Sequence, residues 1–172
     1  MMSRPYYPER VLALDPFHRG MGFVVLEGKD RLVDWGVRRL PGVYDASMKG
    51  GVRMLIERYQ PAIIVMENLE GEESRRGVRA RKALQGVERM VTRLGLAVGR
   101  SSVTQVQLTF GKWVARTKEE RVQALVQRFP VLGLYRPPYR KPWMSEDPRM
   151  SIFDALAFAI TYREESQRST GL

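Results

Sequence analysis

The chain has 172 residues, 44% of them apolar, which is typical of a single folded domain with a real core. Its net charge of +10 favours a polyanionic partner, nucleic acid first; an anionic membrane or a merely basic, solvated surface are the alternatives. The chain contains no cysteine, which excludes disulfides and thiolate metal sites. It contains one histidine, His18, which excludes a His-rich zinc site. Any metal is therefore held mainly by oxygen, as Mg²⁺ and Mn²⁺ prefer.

The chain ends and the longest apolar runs bear on domain organisation and location. Residues 1–9 contain no apolar core, which argues against a secretory signal and favours a flexible arm. The apolar runs are far shorter than a membrane span. We therefore expect a cytoplasmic, nucleoid-associated protein with no membrane partner, a single domain over 10–166 and a frayed tail over 167–172.

The first third of the chain predicts an antiparallel meander of strands at 10–15, 21–27 and 31–40, joined by short turns. The run Val-Leu-Ala-Leu in the first strand is typical of a strand covered on both faces, and it ends on Asp15. A buried carboxylate there needs a compensating charge, such as a bound cation. The alternative is an exposed aspartate in an ordinary Asp-Pro turn.

The middle third repeats this pattern. A helix is predicted over 44–59, followed by the apolar strand 62–66, which ends on a second acid, Glu67. Beyond a glycine-rich loop, 79–94 predicts an amphipathic helix with one strongly basic face. The apolar stripe of that helix is either a dimer interface or part of the core.

The last third begins with a predicted strand over 96–100 and an extended segment through residue 109. A Thr-x-x-Glu capping box opens a helix over 118–129. The segment 130–148 is a proline-rich basic loop carrying aromatic residues, a composition that can grip a nucleic-acid backbone and stack on bases. The alternative is a rigid crossing loop whose aromatics pack on the body, which we favour for Trp143.

A final helix is predicted over 148–165, with Asp147 as its N-cap. Asp154 lies in its apolar segment IFDALAFAI and therefore needs a partner. We expect basic side chains of the middle helix and of the loops to bind phosphates: Arg75, Arg76, Arg79, Arg81, Lys82, Lys112, Lys118, Arg136, Arg140 and Lys141.

The order of these elements resembles the ribonuclease H-like fold, an α/β fold whose mixed central sheet of about five strands is flanked by helices. That fold would bring together Asp15, Glu67 and Asp154. Three clustered carboxylates repel one another unless divalent cations neutralise them. Two Mg²⁺ ions at such a site can activate a water and stabilise the leaving oxygen of a phosphodiester.

Five motifs, in order, resemble those of the RuvC-type Holliday junction resolvases: LALDPFHRGMGFVV, AIIVMEN, ALQGVERMV, TKEERVQALV and FDALAFAI. The resemblance implies a homodimeric Mg²⁺-dependent endonuclease that cuts four-way DNA junctions symmetrically, with Mn²⁺ as a substitute and two metals per active site. Asp15, Glu67 and Asp154 would then hold the metals and be catalytic. Lys118 would act near the scissile phosphate; the alternative is a surface lysine at a helix start.

Three departures from the family pattern leave other functions open. Phe17 replaces a glycine of the first motif, and Ser151 stands where the family carries a fourth acidic or histidine ligand. Asp147 is a second candidate for that ligand, beside its role as N-cap. Leu69 and Glu70 stand where the family has an aromatic wedge. A silent junction-binding module, or a nuclease of the same fold acting on another DNA or RNA, are the alternatives.

Overall fold

The computed structural model describes residues 9–42, 44–70 and 74–171, so residues 1–8 of the predicted arm lie outside the described residues. The strands are β1 (Arg10–Phe17), β2 (Gly20–Glu27), β3 (Arg31–Arg39), β4 (Ile63–Glu67) and β5 (Ala97–Ser101). The helices are α1 (Tyr44–Tyr59), α2 (Val78–Arg93), α3 (Val103–Gly111), α4 (Lys118–Arg128) and α5 (Met150–Thr170), with a 3₁₀ helix over Pro130–Tyr135.

The five strands form one mixed sheet in the order β3-β2-β1-β4-β5. The pairs β1–β2 and β2–β3 are antiparallel, whereas β1–β4 and β4–β5 are parallel. β1 is therefore the central strand. The predicted α/β class and the mixed five-stranded sheet are confirmed.

Helices cover both faces of the sheet and create two cores. Val11 and Ala13 of β1 point to one core, which is built mainly on α5 with α3 and α4. Leu12 and Leu14 point to the other, built on α1 and α2. Because all four are 0–1% exposed, the continuous apolar run of this strand is explained by burial on both faces.

The apolar stripe of α2 belongs to the second core. Leu84, Val87 and Val91 are fully buried and pack in the same cluster as residues of α1 and the sheet. Of the two roles left open by the sequence, the stripe therefore serves the core, and it is not a free surface for a second copy of the chain.

The extended segment predicted through residue 109 is wrong, because α3 occupies most of it. Its β-branched residues favour extended structure locally. A capping box formed by Ser102 and Gln105 opens the helix, and burial of Val106 and Phe110 fixes its inner face. Tertiary packing therefore overrides the local preference here.

The last helix begins at Met150 and ends at Thr170, later at both ends than predicted. Its N-cap is Arg149, so the prediction of Asp147 as N-cap is wrong. The helix lies close to β2, because a Cβ atom on Gly22 would lie 2.3 Å from the Ser151 hydroxyl oxygen and 2.4 Å from its carbonyl carbon. A glycine at this position of β2 is what allows α5 to approach the strand carrying Asp15.

Within the described part of the chain, no helix is both long and apolar enough to cross a bilayer.

Candidate active site

Two acids lie side by side at the centre of the sheet. Asp15 is on β1, which continues two residues beyond it, and Glu67 is the last residue of β4. The parallel register pairs Ala13 with Val65, so two residues further along both strands the acids stand at corresponding positions. Both are buried, with 4% exposure for Asp15 and 5% for Glu67. The exposed-turn interpretation of Asp15 is therefore wrong.

The guanidinium of Arg76 joins these two carboxylates. Its Nη2 donates to Asp15 Oδ1, and its Nε donates to Glu67 Oε2 at 2.5 Å. Its Nη1 donates to the carbonyl oxygen of Pro16 at 2.5 Å. The side chain is only 20% exposed. One buried positive charge is thus shared between two buried negative charges, where the sequence had indicated a phosphate-binding arginine.

Arg81, another predicted DNA contact, holds the loop that carries Arg76. Its guanidinium donates to the carbonyl oxygens of Leu69, Ser74 and Arg76 itself, at 2.9, 2.9 and 3.0 Å. Because one side chain donates to three backbone carbonyl groups, it fixes the path of the loop that enters α2. Arg81 therefore positions Arg76 in this structure.

Asp154 has a different cationic partner. Lys118, the first residue of α4, places its Nζ 2.8 Å from Asp154 Oδ2 and 2.8 Å from Glu146 Oε1. The predicted capping box of Thr117 and Glu120 fixes the start of that helix, and with it the lysine. Asp154 keeps 22% side-chain exposure, so it faces the solvent-filled groove more than the two strand acids do.

Burial dominates the electrostatics of this site. It raises the pKa of Asp15 to about 7, although Arg76 lowers it, and the nearby charge of Asp154 adds to the rise. Burial also raises the pKa of Asp154 against the opposing effect of Lys118. For Lys118, burial lowers the pKa, but Asp154 and Glu146 outweigh it and the net direction is upward. Arg76 and Lys118 therefore do not fully compensate the cost of ionising these buried carboxylates, and further positive charge would stabilise their ionised forms.

All four predicted catalytic residues line one groove with a volume of about 1040 Å³. His18, Arg121 and Glu146 also line it, and the sequence analysis did not single them out. His18 and Arg121 lie within the first and fourth motifs quoted above, but nothing in those motifs indicates that either side chain lines a groove. Glu146 lies in the proline-rich segment, where hydrophobic periodicity carries no information.

The two candidates for a fourth ligand line the groove but are engaged elsewhere. The hydroxyl of Ser151 donates to the carbonyl oxygen of Pro148 at 2.5 Å. Asp147 accepts from the Nη2 of Arg149 at 2.7 Å and from its backbone N–H at 2.9 Å, and this lowers the pKa of Asp147. Both side chains are therefore already hydrogen-bonded to their own neighbours.

The remaining predicted phosphate contacts are spread along the surface. The guanidinium of Arg79 lies over the ring of Tyr44, Lys82 lies 3.9 Å from Asp45, and Arg136 lies 3.9 Å from Glu119. The other four are exposed, and of these only Arg75 lines the groove: Arg75, Lys112, Arg140 and Lys141. None of these weak surface pairs fixes a geometry that would exclude a phosphate.

The donor set is consistent with a hard divalent cation at Asp15 and Glu67. Among the described residues, no three His, Asp or Glu side chains stand close enough to hold one ion together. The pair on β1 and β4 nevertheless already surrounds one positive charge with carboxylate oxygens, the ligands that Mg²⁺ prefers. The residues therefore fit a cation that takes the place of the guanidinium, with Asp154 nearby in the same groove.

Comparison with known proteins identifies the fold. No protein-family profile and no curated protein matches the chain. The structure is similar to RuvC of Thermus thermophilus, alone (21% identity, TM-score 0.68) and in complex with a Holliday junction substrate (20%, 0.66), each covering 94% of this chain and 97% of that one. It is also similar to the yeast mitochondrial Holliday junction resolvase Ydc2, at 15% identity and a TM-score of 0.60, covering 92% and 79%.

These similarities place the chain in the ribonuclease H-like class of folds, as its sequence predicted. Within that class, the structures it resembles include RuvC and a Holliday junction resolvase, and these match over most of its length.

Proposed function

We propose that the protein is a metal-dependent endonuclease that resolves four-way DNA junctions, working as a homodimer that cuts two strands symmetrically. The observation that carries the proposal is the pair of buried carboxylates, Asp15 and Glu67, that share one positive charge on adjacent strands at the floor of an open groove. Two buried acids need compensating positive charge, and the single charge of Arg76 can neutralise only one of them. The junction substrate is suggested by the proteins of the same fold.

Three carboxylates would hold the metal in this proposal: Asp15, Glu67 and Asp154. A bound Mg²⁺ or Mn²⁺, with two per site in the full proposal, supplies the charge that lowers the pKa of an attacking water and neutralises the phosphodiester oxygens. The strand acids are fixed by the sheet, so their oxygens need little reorganisation when they bind a cation.

Lys118 has a separate role. Its ammonium is held between Asp154 and Glu146 at the groove wall, and its raised pKa keeps it positively charged. A phosphate in the groove would exchange these carboxylate contacts for its own oxygens. Lys118 then orients the scissile phosphate and stabilises the charge that develops on it.

Binding of the DNA arms is assigned to the exposed basic residues around the groove. The chain carries 29 Lys and Arg against 19 Asp and Glu, so counterion release makes binding steeply dependent on salt. Arg75 lines the groove, and Arg140 and Lys141 are exposed in the segment that leads to the groove residue Glu146. Their contacts position the DNA without reading its sequence.

The decisive experiment compares cleavage of a labelled four-way junction and of a linear duplex with the same sequence, in Mg²⁺, Mn²⁺ and EDTA. We expect paired, symmetric nicks on the junction only, and only with metal. Asp15→Asn should abolish cleavage and leave junction binding in EDTA intact, because it removes a metal ligand and a negative charge.

A matched control is Asp30→Asn, which removes an exposed acid paired with Arg128 outside the groove residues. It should cleave at the wild-type rate. Wild-type cleavage by Asp15→Asn, or metal-independent nicking by the native protein, would refute the assignment.

A second candidate, a silent junction-binding module, is favoured by one observation. Both candidates for the fourth ligand are already engaged, because the Ser151 hydroxyl donates to Pro148 and the Asp147 carboxylate is paired with Arg149. Such a module would bind the junction tightly, would cleave in neither metal, and would show no Mg²⁺-dependent rise in melting temperature. A nuclease acting on another nucleic acid would show that rise without cutting the junction.

A further inference from the structure

The proline-rich segment between the 3₁₀ helix and α5 presents two exposed aromatic rings. Trp143 is 77% exposed and Tyr139 is 75% exposed. The packing interpretation of Trp143 is therefore wrong. Tyr135 behaves differently, because its ring meets Trp35 edge-on with centroids 5.7 Å apart. The two outer rings leave a large apolar surface in water, which favours a functional explanation.

The chemistry around these rings is cationic. Over residues 136–145 the sequence carries Arg136, Arg140 and Lys141 and no acid. The Lys141 ammonium lies 5.2 Å from the centroid of the Trp143 ring. Aromatic faces interleaved with cations suit a partner with flat rings and negative charges, which describes a nucleic-acid strand with unpaired bases.

The segment is pre-organised. Pro137, Pro138 and Pro142 restrict its backbone. The backbone N–H of Met144 donates to the carbonyl oxygen of Lys141 at 3.0 Å, and Arg140 Nη1 donates to the carbonyl oxygen of Met144 at 2.5 Å. A rigid loop loses less entropy when it binds, so its contacts contribute more to affinity.

The segment is also tied to the groove. Glu146 contacts Lys118 at 2.8 Å, and Glu146 and Asp147 line the groove wall. Glu146 follows Trp143 by three positions in the chain, so the backbone between them spans at most about 10 Å. Stacked nucleotides rise by about 3.4 Å each, so the Trp143 ring lies within about three nucleotides of a phosphate bound at the groove wall.

We propose that Tyr139 and Trp143 form a stacking platform for unpaired bases of the nucleic acid bound in the groove. A duplex hides its ring faces in the stack, whereas a branch point or a single strand exposes them. The platform would therefore favour branched or locally opened DNA over a continuous duplex. It rests on the proposed function only for the substrate in the groove; single-strand binding is testable without cleavage.

The test uses the full chain in EDTA, a dT20 oligonucleotide as the unpaired probe and a hairpin duplex of equal length for comparison. Of the three tryptophans, all within the described ranges, Trp35 and Trp113 are half-buried and Trp143 is exposed. Quenching of the tryptophan fluorescence by a stacked base is therefore expected mainly at Trp143. We expect dT20 to quench it, and the duplex to quench it much less.

Two variants separate stacking from charge. Trp143→Ala should remove the quenching, and it and Tyr139→Ala should each weaken dT20 binding about 5- to 150-fold, the range that corresponds to 1–3 kcal/mol per stacked base. Neither should alter the slope of log K against log salt. Lys141→Ala should instead make that negative slope shallower by about 0.7. Leu134→Ala is the matched control, because this side chain is 90% exposed but not aromatic, and it should bind like the native chain.

Wild-type binding of dT20 by both aromatic variants, or equal quenching by the duplex, would overturn the proposal. A change of oligomeric state in Trp143→Ala by sedimentation, with dT20 binding unchanged, would also overturn it by assigning the rings to a protein interface. If dT20 is bound through Trp143 and no junction is cleaved, the platform stands and the resolvase function fails. If the junction is cleaved and dT20 does not quench Trp143, the resolvase function stands and the platform fails.

Discussion

Replacing Arg76 with glutamine tests whether the two strand acids are built to hold a positive charge. The guanidinium makes hydrogen bonds to Asp15, Glu67 and the carbonyl oxygen of Pro16. Glutamine keeps a hydrogen-bonding side chain but removes the charge. In metal-free protein the two buried carboxylates would then face each other without compensation.

The expected loss follows from burial. Removing one partner of a buried ion pair costs about 3–5 kcal/mol, and the lower end, about 3 kcal/mol, applies because Arg76 is 20% exposed. For a chain of this length each kcal/mol corresponds to about 2–4 °C, so the melting temperature in EDTA should fall by about 6–12 °C. Mg²⁺ should restore much of it, since a ligand at 100 times its Kd stabilises by about 2.7 kcal/mol.

The assay is thermal unfolding of native and Arg76→Gln protein in EDTA and in a Mg²⁺ series, with Mn²⁺ titration calorimetry as a direct measure of affinity. The variant should show the larger Mg²⁺-induced rise, because in the native chain the cation must displace the guanidinium. Arg75→Gln is the matched control. The Arg75 side chain is exposed, so losing its charge should change neither the melting temperature in EDTA nor the Mg²⁺-induced rise. A variant that melts like the native chain in EDTA, or gains no more from Mg²⁺, would refute the reasoning.

Three further outcomes are expected. Gly22→Ala should destabilise by about 1–3 kcal/mol because its Cβ meets the backbone of α5, whereas Gly50→Ala, with open space around it, should not; urea titration of both variants measures this. In metal-free protein, the raised pKa of Asp15 should make the unfolding free energy fall as the pH rises from about 4 to about 7, and saturating Mg²⁺ should flatten that profile; a flat metal-free profile would contradict it. Lys118→Met should slow junction cleavage about 100-fold, while Lys29→Met, at an exposed turn outside the groove, should cleave at the native rate; equal rates would remove Lys118 from the mechanism.

The sheet and its acids were accessible from the sequence because they leave strong local signals. An apolar run ending on a carboxylate marks both β1 and β4, and parallel pairing then brings Asp15 and Glu67 together. The same logic placed Asp154 in an apolar helix, and the capping box gave the start of α4 at Lys118. These features depend on short-range patterns of burial and capping.

The charge arrangement around the acids was not accessible in this way. The sequence shows Arg76 as one of several arginines in a polar loop, and nothing local distinguishes a guanidinium that turns inward from one that faces solvent. The contact of Glu146 with Lys118 joins elements 28 residues apart and depends on the path of the proline-rich loop. α3 was missed because its β-branched residues favour strand locally, and only its cap and its buried face decide otherwise.

The position of α5 has a consequence for biosynthesis. The groove needs Asp15 from the first strand and Asp154 from the last helix, and that helix packs on strands β1, β2, β4 and β5. During translation the first strands emerge long before this helix, so a chain still bound to the ribosome contains Asp15 without an assembled groove. A chain that ends before α5 lacks Asp154 and the helix that covers one face of the sheet, so the groove forms only after α5 has been synthesised and has docked.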